Sequence, residues 1–577
     1  MKFPLNKKWW LLIIIVAMVL VNYLASVFHK RIDLTNEKRF TISTPVKKIL
    51  KNIDEKMEIK IFLRGDIPAG FKKLSLSAQE LLQEFKEYSN GNIHYKIISA
   101  DEKMPGTERT YADTLSSLGI VPINLKVQLK EGEQSQYIYP SALVNYQNKL
   151  QPVNLYSGSN TFITVPELNN AEALLEFNFA NAIEKIIENK KPMVAYAVGN
   201  GEPTGPNVYD LVENVLKKNY NLFMMDLAKE PVIPDTFKLL MIIKPTLTFT
   251  DAEKLRIDQY VMHGGKLLCF IDRLNAEVDS LQMKNEVIAY DRNLNLQDLF
   301  FKYGVRINPD LLMDLQCDFL PFNVNVSPNG AAGQGKDQFE FLHWNYFPLF
   351  ESKQNSVINK NLGLVAGRFV NTIDTVSAPG IKKTILLSSS SNSRTIETPA
   401  LISGSENRNA PVDAAFNKKD LIAGVLLEGK FTSLYKNRVS RNEMDSLNFY
   451  GTPFQPENIK DNKMIIVSDG DIVLNGIYKG QLLPMGVNSY TVGTQYEYQF
   501  ANRRFVENCL EYLINNAGLS EAKSKDYKLR LLDPKKTDEQ RGFWEILNLL
   551  LPVFIILIFG VIYQWWRKKK YTGNVVK

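Results

Sequence analysis

Two long apolar runs stand at the ends of the chain, and the part between them alternates short apolar and polar patterns. The runs cover residues 9–28 and 543–566, and neither contains Lys or Arg. About 20 apolar residues in a helix cross a bilayer core. Tryptophans, which favour the headgroup layer, stand at the end of each run that faces a chain terminus: Trp9, Trp10, Trp565 and Trp566. The pattern predicts two transmembrane helices. The alternatives are a cleaved signal peptide for the first run and a buried core helix for the second.

The distribution of charge predicts which side of the membrane each part occupies. The tails 1–8 and 567–577 together hold eight basic residues and no acid, whereas the net charge of the whole chain is only +7. Short basic segments beside membrane spans mark the cytoplasmic side. We therefore expect an inner-membrane protein with both tails in the cytoplasm and the middle part in the periplasm. The nearly neutral middle part lacks the basic stripe that nucleic acid requires.

The first part of the middle region, residues 29–165, has the pattern of a small α/β unit. A helix starting with Thr44 as N-cap and Pro45 is followed by a strand at 58–63 and a helix at 73–88. Further strands are predicted at the following positions: 94–99, 123–129, 136–146 and 151–156. A strand–helix–strand segment followed by hairpins resembles a thioredoxin-like arrangement. Without a C-x-x-C motif, this unit is predicted to have no redox role.

The second part, residues 166–518, alternates strands and helices more clearly. Strands are predicted at 193–198, 222–227, 239–243, 266–271 and near 464, and helices at 172–189, 208–218, 250–263 and 499–516. This alternation predicts a parallel sheet covered on both faces, which the last strand and the last helix would complete. Two weaker strands are expected at 364–369 and 384–387, and the Gly-rich stretch 325–338 is expected to be a loop. The polar stretch 519–542 is expected to be a linker to the second span.

One loop of this second part lies where parallel sheets bind ligands. Gly199, Asn200, Gly201 and Glu202 follow a buried strand and precede a helix, so their backbone N–H groups could hold an anion. The alternative is a tight turn that uses glycine for its backbone geometry. The sequence contains neither G-x-G-x-x-G nor a P-loop, so we expect the chain itself not to hydrolyse ATP.

Other reactive residues lack the partners that catalysis or metal binding needs. Cys269 lies in the middle of a predicted strand rather than on a nucleophile turn, so it and the other two cysteines, Cys317 and Cys509, are predicted to be buried thiols. The four histidines do not pair at ligand spacing. Three acids that follow strands could bind a cation or serve as acid and base, although aspartates are common in such turns: Asp272, Asp469 and Asp471. We predict no enzyme activity, no cofactor and no metal.

Several segments along the chain are distinctive together: LTNEKRFTISTPVKKILKNI, IKIFLRGDIPAGFKKL, GNGEP, IPDTFKLLMIIKP, TFTDAEKLRIDQYVMHGGKLLCFID and IIVSDGDIVLN. They resemble one family, the gliding-motility ABC-transporter auxiliary proteins of Bacteroidota, known as GldG. Their order and spacing cover nearly the whole chain. One departure concerns Asn200, because relatives often have histidine at that position, so any chemistry that depends on this histidine is in doubt here.

The resemblance implies a subunit that works with an ABC ATPase and a permease, in the GldA and GldF roles, and that contacts envelope cargo. It also implies a thioredoxin-like unit and an amidotransferase-like unit without enzyme residues. Two other hypotheses stay open. The chain could be a membrane-tethered envelope ligand-binding or scaffold protein, or a cryptic α/β hydrolase or amidotransferase.

Overall fold

The computed structural model describes most of the chain. The described residues are 14–22, 41–65, 67–120, 122–129, 132–156, 165–188, 191–278, 286–323, 339–352, 356–360, 362–403, 413–515, 519, 522 and 534–572. They belong to two compact units, Met1–Asp526 and Tyr527–Lys577. The first unit contains nearly all of the secondary structure.

The described residues from 41 to 188 contain six strands and five helices. The strands are β1 (Met57–Ile61), β2 (Ile93–Ile97), β3 (Ile123–Leu129), β4 (Gly132–Ile138), β5 (Ser141–Tyr146) and β6 (Lys149–Asn154). The helices are α1 (Thr44–Lys51), α2 (Ala69–Tyr88), α3 (Tyr111–Ser117), α4 (Val165–Ala173) and α5 (Leu175–Ile187). Four strands form a sheet in the order β2-β1-β5-β6, and β3 pairs with β4 as a separate hairpin. Strand β1 is parallel to β2 and antiparallel to β5.

The predicted helices of this part exist, with three corrections. The N-cap of α1 is Ser43 rather than Thr44, so Thr44 and Pro45 both lie in the first turn. Helix α2 begins at Ala69, four residues earlier than expected. The single helix expected at 172–189 is two helices, because the chain is interrupted at Leu174. The apolar faces of α1, α2 and α5 pack on the four-stranded sheet in one core.

The second part is built on a ten-stranded sheet. Its strands are β7 (Met193–Val198), β8 (Asn221–Asp226), β9 (Phe237–Ile243), β10 (Lys266–Phe270), β15 (Cys317–Asn323), β16 (Phe339–Ser352), β17 (Val365–Ala366), β19 (Ile381–Ser388), β22 (Ile422–Gly429) and β23 (Asn462–Val467). The order is β15-β16-β19-β22-β23-β10-β9-β7-β8, and β17 pairs with β16.

The prediction of a parallel sheet is correct for one half only. Strands β8, β7, β9, β10 and β23 are parallel, and β23 completes this half as expected. The other half, from β22 to β15, is antiparallel. The difference arises because the chain leaves the sheet after β10 and returns through strands that the weak pattern of residues 305–460 did not define.

Helices cover both faces of the parallel half, as predicted. One face is covered by a π-helix (Asp210–Leu216) and by α10 (Asn502–Ile514). The other face is covered by α7 (Asp251–Met262) and α8 (Gln297–Tyr303). The helix expected at 208–218 is therefore mostly a π-helix, which lies between a 3-10 turn at Pro206–Val208 and a short helix, α6 (Lys217–Asn219). Single π-turns often occur near functional sites.

Small sheets and one helix complete this unit. They are β11 (Leu274–Asn275), β12 (Glu286–Asp291), β13 (Val305–Ile307), β14 (Asp310–Asp314), β18 (Ile373–Thr375), β20 (Ser393–Glu397), β21 (Ala400–Ser403), β24 (Ile477–Tyr478), β25 (Gln481–Leu482) and α9 (Arg441–Phe449). The expected strand at 364–369 is only the two-residue β17, whereas the one at 384–387 lies inside β19. The stretch 325–338 lies outside the described residues.

The C-terminal unit contains one long helix, α11 (Pro534–Thr572). Its segment Gly542–Lys569 is long and apolar enough to cross a membrane, and no residue of its apolar window is buried. The predicted second span lies within this segment. The helix starts inside the stretch 519–542, which we expected to be a linker. Of the first predicted span, residues 14–22 are helical with exposed apolar side chains, and its other residues lie outside the described part.

Candidate functional site

Three neighbouring parallel strands end beside one another and bring a group of charged residues together. Lys244 follows β9, Asp272 lies two residues after β10, and Asp469 lies two residues after β23. In the sheet, Phe270 of β10 pairs with Ile243 on one side and Val467 on the other. The carboxyl end of a parallel sheet is where such folds bind ligands.

The centre of this group is a buried lysine. The Nζ atom of Lys244 lies 2.6 Å from Oδ1 of Asp471, 3.1 Å from Oε2 of Glu277 and 3.3 Å from Oδ2 of Asp272. Only 6% of Lys244 is exposed. We call Lys244, Asp272, Glu277, Asp469 and Asp471 the charged cluster. A buried charge is tolerated only when it is paired, and here one ammonium faces three carboxylates.

Burial and mutual repulsion change the protonation of the cluster. Burial raises the pKa of Asp272 to about 6, although the Lys244 ammonium lowers it. Burial also raises the pKa of Asp469 well above its usual range, and Asp471 and Asp272 raise it further. Burial alone would lower the pKa of Lys244, but Asp471, Asp272 and Glu277 outweigh this effect and raise it. The three carboxylates therefore favour the charged form of the lysine, whereas burial and the neighbouring acids favour the protonated form of Asp469.

The backbone around the cluster is tightly constrained. Lys244 has a φ of 41°, a left-handed conformation that is uncommon for lysine. Its backbone N–H donates to the Phe270 carbonyl oxygen at 2.7 Å. A Cβ added at Gly470 would lie 2.5 Å from the Lys244 Cβ. Glycine at position 470 therefore allows the chain after β23 to approach the lysine.

The structure brings together the three aspartates that the sequence singled out. Carboxylate oxygens of Asp272, Asp469 and Asp471 lie within 4.8 Å of one another, which is close enough to share a cation. The Lys244 ammonium, however, already contacts two of these three aspartates. The compensating positive charge is thus supplied by the chain itself. This geometry favours an ion network in which Lys244 itself balances the charge of the aspartates.

A pocket adjoins the charged cluster. Its cavity volume is about 20 Å³, and Asp471 belongs to its lining. The other charged lining residues are Arg368 and Asp318. The Arg368 backbone N–H donates to Oδ2 of Asp469 at 2.8 Å, so the pocket and the cluster are directly connected.

The loop Gly199–Glu202 is a tight turn fixed by backbone contacts. Gly199 and Gly201 have φ values of 114° and 80°, a range that favours glycine. The N–H groups of Thr246 and Leu247 both donate to the Asn200 carbonyl oxygen, at 2.9 and 2.8 Å. These contacts are compatible with the turn alternative.

The acceptor atoms of this turn do not suit an anion. The Asn200 N–H donates to Oε2 of Glu202 at 2.8 Å, which occupies a donor that an anion would need. Burial raises the pKa of Glu202, and nearby Glu253 and Asp226 add to this effect. Among the described residues, no donor reaches Oδ1 of Asn200 or Oε1 of Glu202, although both atoms are buried. Two buried acceptors of this kind match a cation or a hydrogen-bond donor better than an anion.

The cysteines are buried, as predicted. Cys269, Cys317 and Cys509 are all buried thiols that form no disulfide among the described residues. Burial raises the pKa of Cys269 far above the usual thiol value, so the reactive thiolate does not form at neutral pH. This thiol lies in β10, one residue before the end of the strand. His94 and His263 are exposed, at the surface of different parts of the unit.

Sequence reasoning missed Lys244 and Glu277 of the charged cluster and Arg368 and Asp318 of the adjoining pocket. Lys244 directly follows a buried strand and precedes Pro245, so its position at the strand end was readable from the sequence. Its burial was not readable, because exposed lysines are far more common. Arg368 lies in a region with a weak pattern, and no sequence signal connected it to the aspartates.

The α/β body, the charged cluster at its sheet end and the apolar helix near the C-terminus define a membrane-associated α/β protein. Residues 191–509, more than half of the chain, match the family described as ABC-type uncharacterized transport system. The chain belongs to this family, which indicates an auxiliary role in transport and transporter partners in general. Residues 36–145 match a domain of unknown function, DUF7088.

Two further comparisons concern a relative and a solved structure. An uncharacterized protein of Borreliella burgdorferi is 21% identical over 574 residues, which cover 96% of each chain. The mmIFT52 N-terminal domain matches with a TM-score of 0.30 and 13% identity, over 56% of this chain and 98% of that chain. A TM-score this low carries no argument about fold or function.

Proposed function

We propose that this chain is a non-enzymatic, membrane-anchored auxiliary subunit of an ABC transport complex associated with gliding motility. The observation that carries the proposal is the family match over residues 191–509, together with the exposed apolar helix at Gly542–Lys569. In this proposal, an ATPase and a permease, in the GldA- and GldF-like roles, supply ATP hydrolysis and the pore. The chain contributes its large α/β body, which contacts envelope cargo.

The proposed arrangement places the protein in the inner membrane with both tails in the cytoplasm. Residues 9–28 and 543–566 would be the two spans, and the body between them would lie in the periplasm. The basic tails support this orientation. The strand order β2-β1-β5-β6, followed by a helix, supports a thioredoxin-like unit over residues 29–165. The half-parallel sheet supports an amidotransferase-like unit over 166–518.

The absence of enzyme activity is part of the proposal. Cys269, the thiol considered as a nucleophile, is fully buried and has a strongly raised pKa. These properties disfavour the competing hypothesis of a cryptic hydrolase with Cys269 as its nucleophile. A Cys269→Ala variant that stays folded but loses function would revive that hypothesis.

Subunit composition tests the transporter role. The full-length chain would carry an affinity tag and be purified from its native membranes in a mild detergent. We expect an ABC ATPase and a permease to be recovered in amounts comparable to the tagged chain. A matched control, truncated after Asp526 to remove the C-terminal unit, should recover less of both. Recovery of the full chain without any ATPase or permease would favour an autonomous envelope ligand-binding or scaffold protein.

We also propose that the turn Gly199–Glu202 binds a small cationic group. Its two buried acceptor atoms without donors, on Asn200 and Glu202, support this proposal, and carbonyl and carboxylate oxygens are the ligands that Ca²⁺ takes. Addition of Ca²⁺ should raise the unfolding midpoint of the wild type and not that of Glu202→Gln. If Ca²⁺ shifts the unfolding midpoint of both proteins equally, or of neither, the four residues are a structural turn only.

A further inference from the structure

Strand β8 is the outermost strand of the parallel half of the ten-stranded sheet. It pairs with β7 on one side, and the strand order of the sheet ends with it. The Asn221 N–H donates to the Pro192 carbonyl oxygen at 2.9 Å, so the backbone of Asn221 faces β7. Alternate residues of a parallel strand bond to the same neighbour, so the N–H and C=O groups of Leu222 and Met224 face away from the sheet. Within the described part of the chain, no second strand pairs with them.

The other outer strands of the two main sheets carry residues that hinder further pairing. Strand β6 contains Pro152, β15 contains Pro321, and β2 contains the exposed Lys96. Proline removes a ladder donor, an exposed lysine resists being covered, and natural sheets protect their edges with both. Residues 221–225 of β8, with the sequence NLFMM, contain neither proline nor a charged residue. The edge at β8 therefore lacks the protection that the other three edges have.

Two large apolar side chains of β8 are exposed in addition to its backbone. Phe223 is 46% exposed, and Met224 is 49% exposed. The Phe223 ring is held by an edge-to-face contact with Phe237, with 5.5 Å between the ring centroids. Neighbouring residues of a strand point to opposite faces, so one of the two exposed side chains lies on each face of the sheet. A strand added beside β8 would cover both, which is the geometry of strand addition at a sheet edge.

The two ends of β8 carry opposite charge. Residues 217–220 contain two lysines and no acid, whereas residues 226–230 contain two acids and one lysine. Lys229 pairs with Asp226 at 2.7 Å, which leaves Glu230 as the net charge of that end. In an antiparallel pair of identical strands, the basic start of one strand lies beside the acidic end of the other. The charges therefore favour a second copy in antiparallel orientation, because opposite charges across a strand pair attract.

We propose that β8 pairs antiparallel with β8 of a second copy of this chain, around a two-fold axis near the middle of the strand. The outward backbone groups of Leu222 and Met224 would bond across the axis. The partner strand would cover Phe223 and Met224. A two-fold contact of this kind uses the same surface on both copies and closes after two, so the dimer exposes no further β8 edge. The dimer goes beyond the transporter role and does not require it.

The mass of the purified chain tests this inference. The full-length chain, produced without partner subunits, would be measured in detergent by sedimentation over a range of protein concentrations. We expect a protein mass of twice the 65.8 kDa of one chain. Met224→Lys places like charges beside the two-fold axis, so it should weaken self-association by at least about 10-fold. The matched control is Ile288→Lys, at a 58% exposed residue of β12, which should associate like the wild type.

Cross-linking in native membranes tests the same contact without detergent. The three native cysteines are buried, so an added exposed cysteine should dominate the reaction. Met224→Cys should give a covalent dimer of the chain with a short bifunctional maleimide. Ile288→Cys, the control, should be labelled by the reagent without forming that dimer.

Several results would overturn the inference. They are a monomeric wild type, self-association that a folded Met224→Lys leaves unchanged, equal dimer yields from the two cysteine variants, and cross-linking of Cys-substituted position 224 to a different protein only. Thermal unfolding establishes that each variant is folded. The transporter role is tested separately by subunit recovery. A β8 dimer in a chain that recovers no ATPase would refute that role and leave the dimer standing.

Discussion

The Lys244 ammonium lies 2.6 Å from Oδ1 of Asp471, although 227 positions separate the two residues in the sequence. This contact joins the loop after β9 to the loop after β23, and Asp272 after β10 completes the junction. The consecutive strands β9 and β10 and the distant strand β23 thus meet at one buried ion network. The stability of this edge of the sheet should depend on the lysine charge.

Replacing Lys244 by methionine should strongly destabilise the first unit. The change would leave Asp272, Asp471 and Glu277 without their shared cation, and breaking a buried pair by removing one partner costs about 3 to 5 kcal/mol. The free energy of unfolding from denaturant titration measures the effect. Lys430→Met, at an exposed lysine, is the control and should change stability by less than about 0.5 kcal/mol. An equal loss of unfolding free energy in the two variants would contradict a stabilising ion network around Lys244.

The cluster should make stability fall as pH rises from about 4 to 6. The pKa of Asp272 is about 6 in the folded protein, against an ordinary value of 3.8. Between these values the folded state keeps a proton that the unfolded chain has lost, so the free energy of unfolding decreases with rising pH. This contribution is fully present below pH 4 and is lost above pH 6.

An Asp272→Asn variant isolates this contribution. It cannot titrate, so the difference in unfolding free energy between the variant and the wild type should change over this window, by up to about 2 to 3 kcal/mol. Urea unfolding of both proteins at pH 4, 5, 6 and 7 measures the difference. A constant difference across the four pH values would mean that Asp272 titrates normally.

Gly470→Ala should destabilise the unit through a steric contact. The added Cβ would lie 2.5 Å from the Lys244 Cβ and 2.7 Å from its Cγ, so one of the two loops must move. Such overpacking costs about 1 to 3 kcal/mol. Gly205→Ala is the matched control, because its nearest neighbour would be Oδ1 of Asn207 at an ordinary 3.5 Å. Neither glycine has a left-handed φ, so backbone strain does not complicate the comparison. Chemical unfolding curves that shift equally for both would refute close packing at position 470.

Single cysteines should report the proposed orientation in the membrane. The three native cysteines are buried, so an added exposed cysteine would dominate labelling in the native protein. Lys430→Cys in the body should react with a membrane-impermeant thiol reagent in cells whose outer membrane has been permeabilised. Lys577→Cys in the tail should react only after lysis. The reverse pattern would place the body in the cytoplasm.

Much of the fold was predictable because local patterns agreed with the final packing. The strand at Met193–Val198 and the helix at Asp251–Met262 carry strong signals, and Thr250 and Glu253 form the capping box that such a helix start predicts. The antiparallel half of the sheet was not predictable. Strands β19 and β22 pair with each other, but their pairing direction depends on connections without a regular sequence pattern.

The candidate site, like the fold, was predictable only in part. The sequence placed Asp272, Asp469 and Asp471 after strands, which is a local property. Their meeting depends on strand order, which brings β10 and β23 together across nearly 200 residues. The role of Lys244 depends on burial and on a left-handed backbone conformation, and neither can be read from its neighbours.

The most direct test of the auxiliary role is purification through the partner. Once the ATPase has been identified, a tag on that subunit should recover this chain and the permease in a fixed ratio, which native mass spectrometry of the detergent-solubilised complex can measure. We expect the ratio of this chain to the ATPase to be constant when the chain is full length. We expect that ratio to fall when residues 527–577 are removed. A stable ATPase–permease pair that contains none of this chain would contradict the account.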